Sequence, residues 1–226
     1  MATILSLDTS TKVCSVAIHK DGDLIGAQSY HLQKSHSSLL PVIIQQLMEN
    51  VELELSSLDA IALSAGPGSY TGLRIGTATA KGLAYTLEIP LIAISSLDSM
   101  YEQVAPNLPD SAVLIPMIDA RRMEVFCFAK RVNGQVIWDA KPLIVDESTF
   151  DDIEHQTSYF FGNGSDKFKE LFPKVNFIPD IHPSAAHMGQ LAHQKFTQQY
   201  FEDLAYFEPD YLKEYRTNVP SQKFKV

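Results

Sequence analysis

Leu7-Asp8-Thr9-Ser10, the apolar run Val13–Ile18 and the turn Asp21-Gly22 form one short pattern, and it returns later in the chain. The second occurrence is Ile118-Asp119-Ala120-Arg121, then Glu124–Lys130, then Asn133-Gly134. Each copy reads as an apolar strand ending in Asp, a short turn, a second strand, a Gly hairpin and a third strand. The offset from Asp to Gly differs by one residue, as a loop insertion produces. Such a repeat marks a duplicated lobe rather than a solenoid.

Outward from the first copy, the pattern reads β-β-β-α-β-α-β. Strands are predicted at Thr3–Leu7, Val13–His19 and Leu24–Tyr30, with Asp21-Gly22-Asp23 as a tight hairpin. Ser37 or Ser38 can cap a helix whose Leu39, Leu40, Ile43, Ile44 and Leu47 recur at helical spacing, with Pro41 in its first turn. A strand at Asp59–Ser64, a helix at Thr71–Leu87 and a strand at Leu91–Ile94 complete the unit. Prolines and an Asn interrupt the pattern at Ala105–Asp110, so lobes of 1–105 and 106–226 are expected. The second lobe continues with strands near Gln135–Val145 and Ser158–Phe161 and helices near Ser165–Phe172 and Ser184–Tyr200. Met188, Leu191, Ala192 and Phe196 make the apolar face of the last helix, which reads as core packing.

Composition narrows the function. A hydrophobic content of 45% and a charged content of 20% are those of an ordinary globular chain. The formal net charge of -9 argues against a broad phosphate-binding face, so any RNA contact is expected through a partner. Cys14 and Cys127 lie in apolar runs and read as buried, reduced thiols. The N-terminus has no basic region followed by a long apolar one, and no stretch reaches the ~20 apolar residues of a membrane span. A cytoplasmic protein without membrane contact is expected.

The strongest local signal is Gly66-Pro67-Gly68-Ser69-Tyr70-Thr71-Gly72-Leu73-Arg74-Ile75-Gly76, placed between a strand and a helix. Backbone N–H groups could hold an anion there, but the Gly-Lys-Ser/Thr ending of a P-loop is absent. Packing explains it better. Gly72, Gly76, Ala80 and Ala84 fall four apart and line one helix face with small residues, suited to close approach by another helix of this chain or of a second chain. Asp8-Thr9-Ser10 and Asp119-Ala120-Arg121 occupy the places where actin-like phosphotransferases hold nucleotide phosphates and a metal, with Gly162-Asn163-Gly164 as a weak adenosine-loop remnant. Asp8, Thr9, Ser10, Asp119, Gly162 and Gly164 are therefore the nucleotide candidates, although Ala120-Arg121 is bulky for a phosphate loop. The seven histidines include no pair three or four apart, and Ser69 lacks the Gly-x-Ser-x-Gly setting of a hydrolase nucleophile.

Ile4-Leu5-Ser6-Leu7-Asp8-Thr9-Ser10, Gly66–Gly76, Ala80-Lys81-Gly82-Leu83-Ala84, Ile118–Arg121 and the late Pro209-Asp210-Tyr211-Leu212-Lys213 together resemble the TsaB family, also called YeaZ. The resemblance runs over essentially the whole chain, with Lys213 where the family ends its motif in Arg. It implies an actin/Hsp70-like (ASKHA, ribonuclease H-like) fold of two related lobes. It also implies a non-catalytic subunit in making N6-threonylcarbamoyladenosine beside the anticodon of tRNAs reading codons that begin with A. The implied partners are TsaD, which transfers the threonylcarbamoyl group, TsaE through the complex, and tRNA indirectly. Pairing would use the helices near Ser38–Asn50 and Thr71–Leu87, through Leu39, Ile43, Gly72, Gly76, Ala80 and Ala84, and a homodimer could use the same surface. Where TsaD has a metal-binding His-x-x-x-His pair, this chain has Ser96 and Met100, so no metal is expected there. No firm cofactor is expected, with ATP or ADP only in the complex. The competing class is an enzyme acting alone, either an actin-like ATPase or a glycopeptidase.

Overall fold

The computed structural model describes residues 1–31, 36–153 and 157–212 of the chain. β1 (Thr3–Asp8), β2 (Val13–Lys20) and β3 (Asp23–His31) form an antiparallel meander. Asp21 at φ 51° and Gly22 at φ 90° supply the left-handed pair that a two-residue hairpin needs. β4 (Ala60–Gly66) and β5 (Leu91–Ser95) add in parallel, giving the order β3-β2-β1-β4-β5.

The second sheet repeats this plan with β6 (Val113–Asp119), β7 (Glu124–Arg131), β8 (Val136–Ile144), β9 (Ser158–Phe161) and β10 (Asn176–Ile178). Its order is β10-β9-β6-β7-β8, with β6–β7 and β7–β8 antiparallel and β6–β9 and β9–β10 parallel. Asp8 and Asp119 end the equivalent strands β1 and β6. The duplication is therefore present in both strand order and direction.

Alternation along β1 buries it on both faces. Leu5 and Leu7 join a core with α1 (His36–Asn50) and α2 (Tyr70–Leu87), contributed by Leu40, Ile43, Leu47, Ala80 and Ala84. Ile4 points the other way, toward Ala185, Met188 and Ala192 at the start of α4 (Gly189–Thr197). The helix α3 (Ser96–Val104) lays Leu97, Met100 and Val104 on Leu114, Ile118 and Phe161 of the second sheet. Each sheet is thus covered by a helix from the other half of the chain, and residues 185–197 pack with the first sheet although they follow the second.

Some local expectations give way to tertiary packing. The segment Ser165–Phe172 holds only a 3-10 turn at Asp166–Phe168, because Phe168 and Phe172 drop into the second core and a piece this short does not offset helix nucleation. Ser184–Tyr200 splits into a 3-10 turn at Ala185–His187, capped by the Ser184 hydroxyl, and α4. Gly189 opens α4, and a Cβ there would run into the His19 ring and the Gly22 carbonyl. α1 already includes Ser37 and Ser38, so neither caps it, and Pro41 falls in its second turn. No helix among the described residues is long and apolar enough to cross a membrane.

Candidate functional site

At the end of β1, the Asp8 carboxyl is fully buried. Its Oδ1 accepts from the Ser10 amide at 2.9 Å and the Ser10 hydroxyl at 2.8 Å, while Oδ2 makes no hydrogen bond. Burial pushes the Asp8 carboxyl above its ordinary range, outweighing the bonds from Ser10, a weaker interaction with Ser64 and the neighbouring His36. His36 Nε2 donates to the Thr11 carbonyl at 2.8 Å and ties α1 to this turn.

The glycine-rich loop closes directly over the turn. Ser69 N donates to Ser10 O at 2.6 Å, and Thr9 Oγ1 donates to the Gly72 carbonyl at 2.7 Å. A Cβ on Gly68 would run into the Ser10 carbonyl, one on Gly72 into the Thr9 carbonyl, and one on Gly76 into the Thr9 hydroxyl. Ser69 caps α2 by accepting from Gly72 N at 3.4 Å. The small residues of Gly66–Gly76 are needed because two backbone segments touch.

In the second lobe the equivalent Asp119 is committed otherwise. It accepts from the Arg121 amide at 3.0 Å and pairs with Lys167 Nζ at 2.6 Å. Lys167 also donates to the carbonyls of Arg122 and Glu124, each at 2.7 Å, and so clamps the β6–β7 turn. That turn carries Arg121 at φ 73° and Arg122 at φ 53°. Asn163 Oδ1 accepts from Asp119 N at 3.0 Å. Gly162, at φ 97°, has the Met117 carbonyl and Met100 where a side chain would go, and Gly164 lies against Val125 and Asp119 N. Gly162-Asn163-Gly164 therefore buttresses β6. The six nucleotide candidates divide between two turns, with no hydrogen bond or ion pair joining Asp8 to Asp119.

The expected pairing stripe requires a correction. Gly72, Gly76, Ala80, Ala84 and Ile43 are all buried in this chain's own core, and Leu39 is half-buried against it. Small residues on α2 face β1 and Thr9, and they present no surface to a second chain. The outward sides of α1 and α2 instead frame a groove of about 810 Å³ lined by Pro41, Ile44, Met48, Leu53, Leu55 and Leu83. Spacing alone pointed to the inward face because close packing within a chain and between chains requires the same small side chains.

Ser96 and Met100 are fully buried. The Ser96 hydroxyl is 2.6 Å from that of Ser64, and Met100 packs in the cluster between α3 and the second sheet. A hydroxyl held by another hydroxyl and a thioether in an apolar core do not fit the ligand set of a divalent metal.

A feature missed from sequence is a C-terminal strap. Glu202 N donates to Leu91 O at 2.9 Å, Lys81 Nζ to the carbonyls of Ala205 and Phe207, and Asp210 N to Ala65 O at 2.7 Å. Tyr211 meets Tyr70 at 4.7 Å between ring centroids and hydrogen-bonds Arg74, whose guanidinium lies 4.2 Å from the Tyr70 centroid. Leu212 joins the core between α3 and the second sheet, and Lys213 lies outside the described residues. The Pro209–Leu212 motif was its only sequence signal.

A family model described as "TsaD: tRNA N6-adenosine threonylcarbamoyltransferase" matches residues 30–220. The tRNA threonylcarbamoyladenosine biosynthesis protein TsaB of Haemophilus influenzae is 30% identical over 223 residues, covering 93% of each chain. TsaB of Escherichia coli is 28% identical and covers 97% of each. YeaZ from Pseudomonas aeruginosa superimposes with a TM-score of 0.78 at 25% identity, over 93% of this chain and 100% of that one. An activator of 2-hydroxyisocaproyl-CoA dehydratase from Clostridium difficile, solved with bound ADPNP, shares the fold at a TM-score of 0.52 and 10% identity, over 89% of this chain and 98% of that one. The duplicated sheets are thus an actin-like fold, and the chain belongs to the TsaB (YeaZ) branch of the TsaD-related family, whose members are tRNA threonylcarbamoyladenosine biosynthesis proteins.

Proposed function

We propose that this chain serves tRNA threonylcarbamoyladenosine formation as a non-catalytic subunit, pairing with a TsaD-type transferase through the outward faces of α1 and α2. TsaE joins the same assembly, tRNA is reached through the partner, and the assembly works in the cytoplasm. The observation that carries the pairing is the groove of about 810 Å³ between the helices, apolar along its floor. An apolar groove on a helix pair can seat a helix of another chain. The chemistry belongs to the partner in this reading, since Ser96 and Met100 are buried and otherwise engaged, and Asp119 is held by Lys167.

Substituting Leu83→Arg tests the surface. Leu83 is half-buried at the groove, so the variant should fold while its affinity for TsaD, measured by calorimetry, falls by about 2 kcal/mol or more. Reconstitution with TsaD, TsaE and tRNA should give modified adenosine only when the chain is present. Unchanged affinity of the Leu83→Arg variant for TsaD, or ATP turnover by the chain alone, would overturn the reading.

A further inference from the structure

The turn between β6 and β7 breaks a local rule. Arg121 at φ 73° and Arg122 at φ 53° are consecutive left-handed residues, a conformation that hairpins assign to Asn, Asp and Gly, as Asp21-Gly22 does between β2 and β3. Two long side chains there oppose stability, and Lys167 holds the turn against that strain through the carbonyls of Arg122 and Glu124. Both arginines are exposed, and neither guanidinium makes a hydrogen bond or ion pair among the described residues. The other described arginines are engaged, Arg74 on Tyr70 and Tyr211, and Arg131 on the Ser111 carbonyl at 2.7 Å. Two carboxylates to either side do not neutralise the pair: Asp119 is held by Lys167, and Asp146 accepts from Ser148 and Thr149. The equivalent turn of the first lobe is closed under the glycine-rich loop, with Thr9, Ser10 and Thr11 buried, whereas Met123 beside the arginines is exposed as they are. A strained, clamped turn that presents two unpaired guanidiniums to solvent fits an anion brought from outside.

We propose that Arg121 and Arg122 bind backbone phosphates of the tRNA while the partner transferase holds it. This contact rests on the pairing with TsaD given above and adds to it a direct meeting of this chain with RNA. The relatives are tRNA threonylcarbamoyladenosine biosynthesis proteins, so the polyanion at hand is RNA. A guanidinium stays charged at every working pH and matches a phosphate with two parallel N–H bonds. The net charge of -9 keeps two cations from gripping RNA unaided. Such a pair acts on RNA that is already docked, and its contribution comes through released counterions, which makes it sensitive to salt.

The test follows unmodified tRNA by fluorescence anisotropy as it binds the complex of the full chain with TsaD, from about 100 to about 400 mM salt. Arg121→Gln with Arg122→Gln should weaken binding about tenfold at the lower salt and reduce the slope of log affinity against log salt by about 1–2. A control that removes the same charge at two exposed lysines (Lys20→Gln, Lys174→Gln) should leave affinity and slope unchanged. Arg121→Asn with Arg122→Gly should lose the same RNA affinity while the melting temperature of the free chain rises by a few degrees, since those residues suit the turn. Calorimetry should find the affinity of every variant for TsaD equal to that of the wild type. RNA binding that ignores the arginine substitutions, an equal loss from the lysine control, or a lower melting temperature in the Asn-Gly variant would each overturn the proposal. Loss of TsaD affinity in the arginine variants would overturn it too, by placing a protein rather than RNA on the turn. If the wild-type chain does not pair with TsaD, the pairing reading falls and the RNA contact with it. If it pairs and only the RNA measurements fail, the pairing stands and the RNA contact falls.

Discussion

Gly72 and Gly82 lie on one helix and meet opposite surroundings. A methyl on Gly72 collides with the Thr9 carbonyl, whereas one on Gly82 meets nothing within 4 Å. Gly72→Ala is expected to destabilise the protein by about 2 kcal/mol through backbone displacement. Gly82→Ala should stabilise it by about 0.5–1 kcal/mol through helix propensity. Chemical denaturation of the two variants checks both signs at once. The thiols give a second residue-scale expectation. Burial pushes Cys14 up to about 11 and Cys127 up to about 12. Near pH 8 the folded protein should therefore leave Ellman's reagent unreacted, and both thiols should titrate once guanidinium chloride unfolds the chain. The sequence already placed both cysteines in buried strands, since apolar alternation around them was plain. It could not show that Lys167 would take Asp119, because that contact spans distant segments.

At the scale of elements, α2 and the strap decide the most. Ala80 is wholly buried among Leu5, Leu7, Ile61 and Leu63 in the first core. Ala80→Leu is thus expected to lower stability by about 1–3 kcal/mol by overpacking. A pairing role for Ala80 would instead spare the fold and weaken association, and thermal unfolding separates the two outcomes. Tyr211 holds the strap on Tyr70 and Arg74. In Tyr211→Ala, amide exchange in the Gly66–Gly72 loop should quicken while β1 and β4 stay protected, as read by hydrogen exchange. Helices with long apolar stripes, α1 and α2, were legible from periodicity. Short α3 was not, because its Leu97, Met100 and Val104 acquire meaning only beside the second sheet.

Across the whole molecule, the return of residues 182–197 to the first sheet makes a seam of histidines. His19 Nε2 donates to the Ala186 carbonyl at 3.1 Å, which leaves Nδ1 to accept from Ser6 Oγ at 3.3 Å. His31 and His182 meet edge to face at 5.4 Å. Burial holds His19, His182 and His187 below the ordinary imidazole value. The unfolded chain then binds more protons than the folded one, so this contribution is complete above about pH 6.5 and is lost as pH falls from there. The raised carboxyls of Asp8, Asp98 and Glu102 act with the opposite sign. His19→Gln should therefore flatten the loss of stability on acidification, followed by denaturant titration across this range.

Asp8, Asp119 and the strands around them determined the duplicated fold from sequence alone, because strand alternation and hairpin turns are local and each copy carries them independently. The family was equally legible in Gly66–Gly76. Whether the small-residue face of α2 is open or covered was decided only in three dimensions. Gly72, Gly76, Ala80 and Ala84 permit any close neighbour, and here the neighbours are Thr9 and the first sheet. That packing leaves Leu83 at the groove between α1 and α2.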